Sequence, residues 1–230
     1  MHIPDGFIDG PTSLGAAVLA GGGLRVAIKR SAESLAERGA PLAGLVAAFV
    51  FAAQMLNFPV AAGTSGHLIG GVLAAVLVGP WSGAVCIAVV LLVQALFADG
   101  GLTALGLNVF NMALVAGVGG YALFSVVRRV LGRSRRSVVL ASGVAAGASV
   151  LLAAAAFVIE YSIGGTSGVS LTSVAGAVLG VHTLIAIGEG VITAMTVASV
   201  VTVRPDLVYG AKGVVDSAVY SAAQRAESVL

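Results

Sequence analysis

The first two residues, Met1 and His2, offer three nitrogens in succession. These are the α-amine, the His2 amide once deprotonated, and the imidazole Nδ1. Fused chelate rings let them grip one metal ion in a plane, and donors so close in the chain cost almost no loop-closure entropy. The chain has only 3 histidines, and His67 is a natural source of a fourth nitrogen. A planar nitrogen set favours Ni(II) or Cu(II), whereas zinc prefers a tetrahedron and Mg or Ca prefer oxygen. No thiolate stands nearby to select Cu(I). The ion expected is Ni(II) or Co(II), leaning to nickel because amide deprotonation suits Co(II) less well. The ion would be a bound ligand, and no resident cofactor is expected.

The elements that must position these groups follow from composition. Of 230 residues, 58% are apolar and 10% charged, against about a quarter charged in a soluble domain. The apolar residues fall in long runs with the charges between them. This predicts an all-α membrane protein, a polytopic bundle of about seven transmembrane helices in a lipid bilayer. The runs cover residues 12–30, 41–57, 66–79, 81–98, 104–128, 137–160 and 172–202. The third is short, and Gly79-Pro80 separates it from the fourth. The expected organisation is a metal-chelating loop over 1–10, a bundle over 11–203 and a cytoplasmic tail over 204–230. Asp5 and Asp9 precede the first apolar run while Arg25, Lys29 and Arg30 follow it. That is the wrong order for a cleaved signal peptide, so Met1 is expected to be retained. Cys86 lies in an apolar run and reads as a small buried residue.

Charge sets the direction. With seven spans, Arg25, Lys29, Arg30 and Arg38, then Arg128, Arg129, Arg133, Arg135 and Arg136, then Arg204, Lys212 and Arg225 all fall on one side. That side is expected to be the cytoplasm of a prokaryotic cell, which leaves the amino terminus outside and the carboxyl terminus inside. The basic pI of about 9.0 therefore reflects topology, and no nucleic-acid partner is expected. The opposite side carries Asp5, Asp9, Asp99 and Glu160 and no Lys or Arg. Such an acidic face raises the local concentration of cations.

Polar groups at membrane depth are expensive and mark function. Gln54 and Asn57 end the second run; Thr64, Ser65 and His67 open the third; Gln94 lies in the fourth. Asn108 and Asn111, three apart, share a helix face, as do His182 and Glu189, seven apart. Glu189 is expected to pair with His182 or to neutralise an arginine. Residues 1–10, rich in turn formers (Pro4, Gly6, Gly10), are expected to fold back into the outer mouth and bring His2 to His67. Small residues four apart on the second run (Ala43 and Ala47; Gly44, Ala48 and Ala52) allow close helix approach, either inside the bundle or against another membrane subunit.

Several stretches resemble one family. Met1-His-Ile-Pro-Asp-Gly-Phe7, Gln54-Met-Leu-Asn-Phe-Pro-Val60, Gly63-Thr-Ser-Gly-His-Leu68, Phe97-Ala-Asp-Gly-Gly-Leu-Thr103, Asn108-Val-Phe-Asn111 and Gly188-Glu-Gly190 are similar, in the same order, to the CbiM/NikM family. These are the substrate-capturing S components of energy-coupling-factor (ECF) cobalt and nickel transporters. The resemblance covers residues 1 to about 200. It implies a metal held by the Met1 amine, the His2 amide and imidazole, and the His67 imidazole, with Asn57, Asn108 and Asn111 in support. Ser65, His182 and Glu189 join them as supporting candidates. It also implies a transmembrane coupling subunit, two cytoplasmic ABC ATPase subunits and, in many such systems, a small accessory membrane subunit. Pro4-Asp5 stands where some cobalt members carry Met-Glu, a further lean to nickel.

The chain itself has no GxxxxGK[ST] loop for ATP and no HExxH, so an enzyme is not expected. The competing reading is a stand-alone secondary transporter or channel for divalent transition metals. That would need a relay of carboxylates across the spans, and Glu189 alone lies clearly within one.

Overall fold

The computed structural model describes residues 1–34, 39–60, 64–132 and 134–214. Its helices are α1 (Gly10–Ser34), α2 (Gly39–Gln54), α3 (Gly71–Val78), α4 (Pro80–Leu96), α5 (Leu105–Val109), α6 (Gly120–Leu131), α7 (Arg135–Gly164) and α8 (Leu171–Val203). Between α2 and α3 the short strands β1 (Phe58–Pro59) and β2 (Ser65–Gly66) pair antiparallel, with Phe58 opposite Gly66. A π-helical stretch, Phe110–Gly119, joins α5 to α6 in one continuous rod.

Helix starts follow local chemistry. Asp9 precedes α1 and accepts from the Thr12 amide at 2.9 Å, as an N-cap should. Ser134 and Ser137 cap α7 reciprocally, and Ser170 accepts from the Ser173 amide at the start of α8. Pro80 occupies the first turn of α4, where its missing N–H costs nothing.

Among the described residues, four stretches are long and apolar enough to cross a membrane: Gly10–Glu33, Leu105–Leu131, Arg135–Gly164 and Leu171–Val203. The helices α2 and α4 are apolar but shorter, at 16 and 17 residues. The expected span over 66–79 is not one helix. Only Gly71–Val78 is helical, and 8 residues at about 1.5 Å each cannot cross. The preceding residues leave the helical path because their backbone groups bond elsewhere: Gln54 Nε2 donates to the Ile69 carbonyl (2.7 Å), and the Ile69 and Gly70 amides donate to Glu189.

The short α3 is the centre of the core, with Val72 to Val76 fully buried. It lies close against the π-helical stretch, since a Cβ at Gly71 would stand 2.9 Å from the Gly117 amide nitrogen. The longest packing seam joins α7 to α8, where a Cβ at Gly143 would stand 2.9 Å from the Gly190 carbonyl. Small residues there let backbones meet, as in membrane helix pairs generally. On α2, by contrast, Gly44, Ala48 and Ala52 face outward, and a side chain at Gly44 would touch nothing within 4 Å. That ridge is not internal packing.

The bundle has chemically distinct ends. At one, the Arg30 guanidinium sits 4.7 Å over the Trp81 ring, Ser31 meets Ser82 at 2.9 Å, and Arg128 donates to the Gly210 carbonyl. Arg135 and Arg136 open α7 there. At the other end lie the amino terminus, Asp99 and the α7–α8 connection. Arg38, Arg133 and Arg225 lie outside the described residues, as does the tail beyond 214.

Candidate metal site

The amino-terminal loop is stitched into the acidic end. Phe7 stacks on Tyr161 and Phe157, with ring centroids 5.2 and 5.8 Å away. Its carbonyl accepts from the Thr166 amide (3.1 Å), and the Asp9 amide donates to the Gly164 carbonyl (2.7 Å). Ile3, fully buried, exchanges two bonds with one side chain: its amide donates to Asn108 Oδ1 (2.8 Å), and Asn108 Nδ2 donates to its carbonyl (3.2 Å). The Gly101 amide reaches the same carbonyl at 3.0 Å. Asp5 accepts from the Thr103 amide and hydroxyl (2.7 and 2.5 Å), and these bonds hold its carboxyl below the usual range. Buried apolar anchors such as Ile3 and Phe7 each contribute about 1.5–3 kcal/mol, which offsets the entropy of ordering this segment.

The result brings His2 to His67. Their ring centroids are 4.4 Å apart and tilted by 32°, with His2 4% exposed and His67 fully buried. His67 Nδ1 lies 2.8 Å from the Leu68 carbonyl. A carbonyl only accepts, so Nδ1 carries the proton and Nε2 keeps its lone pair. That Nε2 is buried without a partner among the described residues. The His2 amide is 3.4 Å from Ser65 Oγ, and His2 Nε2 is 3.7 Å from Asp99 Oδ2. Asp99 in turn accepts from Asn57 Nδ2 at 3.2 Å.

Burial governs the charges here. The Met1 amine is pushed well below its usual value by desolvation, a loss that Asp99 and Glu189 partly offset. His2 falls to about 3, through desolvation first and the neighbouring amine second. The contact with Asp99 is therefore not an ion pair near neutral pH. The Asp99 carboxyl is itself pushed up by burial, with the amine pulling the other way. The amine's charge also reaches His67 and His182. Neutral amine and neutral imidazole are the forms a metal needs.

A cavity of about 360 Å³ opens onto His2 and is lined also by Asp5, Ser65, Asp99, Gly100 and Gly101. Among the described residues no three His, Cys, Asp or Glu side chains converge as a metal cluster. The two imidazoles of His2 and His67 meet instead, with the buried Met1 amine within electrostatic reach of both.

Other expected residues take different places. Glu189 pairs with neither His182 nor an arginine: its carboxylate accepts the Ile69 and Gly70 amides at 2.6 and 2.8 Å and so fixes the turn after His67. The reason is that an unpaired buried amide is costly and Glu189 is the acceptor at that level. Asn111 turns away from Ile3 and donates to Glu160 Oε2 at 2.7 Å. Asp9, counted with the acidic mouth, is a helix cap. Reasoning from the sequence missed Asp99 and Gly100 as parts of the site, although both fall in the Phe97–Thr103 stretch.

Gly100 has φ +95°, and a Cβ there would lie 3.0 Å from His2 Nδ1. Gly100→Ala is therefore expected to strain the backbone and displace the imidazole, weakening Ni(II) binding about 10–100-fold, the range for residues that support ligands. Titration calorimetry checks this; wild-type affinity in the variant would show that Gly100 does not position His2.

Comparison with known proteins agrees with this architecture. The family model described as CbiM, cobalt uptake substrate-specific transmembrane region, matches residues 2–207. A putative metal transport protein of Haloquadratum walsbyi is 38% identical over 91% of this chain and 94% of its own. A putative fused nickel transport protein NikMN of Archaeoglobus fulgidus is 42% identical, covering 90% of this chain and 68% of its own. A cobalt transport protein CbiM of Sorangium cellulosum is 38% identical over 73% and 75%. A crystal structure of a truncated transition metal transporter superposes with TM-score 0.82 at 30% identity, covering 88% of this chain and 99% of that one. With the family model spanning nearly all of the described bundle, this chain belongs to the CbiM family of transmembrane, metal-uptake proteins.

Proposed function

We propose that this chain captures Ni(II) or Co(II) outside a prokaryotic cell and delivers it as the S component of an ECF-type, ATP-driven importer in the plasma membrane. The observation that carries this is the meeting of the buried His2 and His67 rings, 4.4 Å apart, with His67 Nε2 unpartnered among the described residues and a cavity opening onto His2. The Met1 amine, the His2 amide, His2 Nδ1 and His67 Nε2 make the ligand set. Asp99, whose Oδ2 lies 3.7 Å from His2 Nε2, favours the tautomer protonated at Nε2, which leaves Nδ1 for the ion, the usual task of a carboxylate behind a ligating histidine. Ser65, Asn57 and Asn108 hold the surrounding chain, and Glu189 holds the turn that presents His67. Four nitrogens in a plane favour Ni(II) over Zn(II), so nickel is the preferred cargo.

In this reading the acidic end faces outward and the arginine-bearing end meets the cytoplasm. About seven membrane segments are involved, α3 being a buried half-segment. Residues 1–10 form the chelating loop, 11–203 the bundle and 204–230 a cytoplasmic tail. The partners are a transmembrane coupling subunit, two ABC ATPase subunits and a small accessory membrane subunit. Relatives named as fused NikMN proteins support an additional module beside this one.

Equilibrium binding of Ni(II) and Co(II) to the purified chain in detergent tests the reading. Tight binding of both, nickel tighter, is expected; binding of neither would end it. Reconstituted uptake is expected to need ATPase partners, and full-rate uptake by this chain alone would favour a secondary transporter.

The shifts above also set a pH dependence. Ordinary values are 8.0 for the amine and 6.5 for the imidazole, and both are lowered in the folded chain. A base whose folded value is depressed is neutral when docked, so docking is unopposed above the unfolded value and is lost as pH falls below it. The amine alone costs the docked loop about 1.4 kcal/mol per unit below pH 8.0, and His2 adds to this below 6.5. Binding itself releases the His2 amide proton, so Ni(II) affinity is expected to fall about tenfold per unit as pH falls. A flat profile would remove the deprotonated amide from the ligand set.

A further inference from the structure

We propose that His182 is a positioning residue of this metal site, its Nε2 accepting a hydrogen bond from the Met1 amine once that amine holds the ion. The proposal rests on the capture function just described.

His182 lies on α8 and is 1% exposed. Its Nδ1 is 2.7 Å from the Val178 carbonyl one turn back. As at His67, a carbonyl partner places the proton on Nδ1 and leaves Nε2 with a lone pair. That Nε2 is buried and has no partner among the described residues. A buried acceptor without a donor is costly, so the atom is expected to have a use.

Its place in the fold supplies one. The face of α8 around His182 runs beside the chain that carries His67. A Cβ at Gly66 would lie 2.8 Å from Ile185 and 3.4 Å from Val181, the residues flanking His182. Seven residues further along the same face, Glu189 holds the Ile69 and Gly70 amides. Seven residues of helix rise about 10 Å, close to the rise of three extended residues, which sets His182 level with Gly66 and His67. The Met1 amine lies within electrostatic reach of His182.

A metal-bound amine keeps two N–H groups. Met1 is 2% exposed, so those donors must find partners in the protein. The amine's charge also reaches Glu189, Asp99, His2 and His67. Both Glu189 oxygens already accept backbone amides. Asp99 accepts from Asn57 and lies beside His2 Nε2. The lone pairs of His2 and His67 go to the ion. Of these described groups His182 has the lone pair with no other engagement.

The test compares His182→Gln, which keeps an acceptor, with His182→Leu, which removes it at similar bulk. Ni(II) affinity, the d–d absorption of the bound ion and the melting temperature of the metal-free protein are measured for each. The expected result is a 10–100-fold loss of affinity in His182→Leu, recovery to within a few fold in His182→Gln, and d–d bands that report the same four-nitrogen donor set throughout. Equal affinity in wild type and His182→Leu would overturn the proposal. So would an equal loss in both variants, which would reduce His182 to packing, or a changed donor set in His182→Leu, which would make it a ligand. Failure of the wild-type chain to bind Ni(II) would instead sink the capture function itself.

Discussion

One glycine added ahead of Met1 is expected to abolish tight Ni(II) binding while leaving the fold intact. The extension turns the α-amine into an amide, which removes a donor of the proposed site and breaks its fused chelate. It also drives extra backbone into a site where Met1 is 2% exposed. Losing a ligand outright costs more than the roughly 10–100-fold seen when residues supporting a ligand are changed. The remaining anchors, Ile3 on Asn108 and Phe7 on Tyr161, do not depend on the amine, so the metal-free melting temperature should move little. Calorimetric titration of extended and unextended protein decides the matter. Undiminished affinity in the extended chain would place the ion elsewhere. In practice, a tag belongs at the other terminus.

His67→Ala is expected to be as severe for binding and to cost stability as well. In the proposed site His67 is the one donor remote in sequence, 65 residues from His2, and its side chain is fully buried against the His2 ring. Truncation removes that donor and leaves a void, so both Ni(II) affinity and melting temperature should fall. The two changes act on one ion and therefore should not add. The extended His67→Ala protein is expected to bind no more weakly than the worse single variant. Additive losses would mean two independent sites.

Much of the bundle was legible from apolar runs. Six of the seven runs coincide with helices or a continuous helical rod, because a backbone in lipid must satisfy its own hydrogen bonds and the helix is the local way to do so. The run over 66–79 failed as a helix. Its first residues are stabilised by Gln54 and Glu189, side chains that a local window cannot see. The π-helical stretch over Phe110–Gly119 left no mark in the sequence either, since a wider helix keeps the same apolar content. Glu189 illustrates the limit at the site. Sequence spacing put it on the face of His182 and suggested that partner, but the amides of Ile69 and Gly70, 120 and 119 residues away, took both its oxygens.

The sequence by itself determined the chemistry available: an amine, an amide and an imidazole in consecutive positions, a second imidazole, and an apolar chain with its arginines grouped between the long apolar runs. These are properties of residue type and order, which composition and spacing express directly. The tertiary structure alone decided which atoms are free to act. Leu68 and Val178 carbonyls fix the protons of His67 and His182 on Nδ1 and leave each Nε2 open. Asn111 goes to Glu160 instead of the amino terminus, and Asp99, which the sequence placed only on the acidic face, stands behind His2. Hydrogen-bond partners are chosen between elements far apart in the chain, by proximity and burial, and no local pattern encodes that choice.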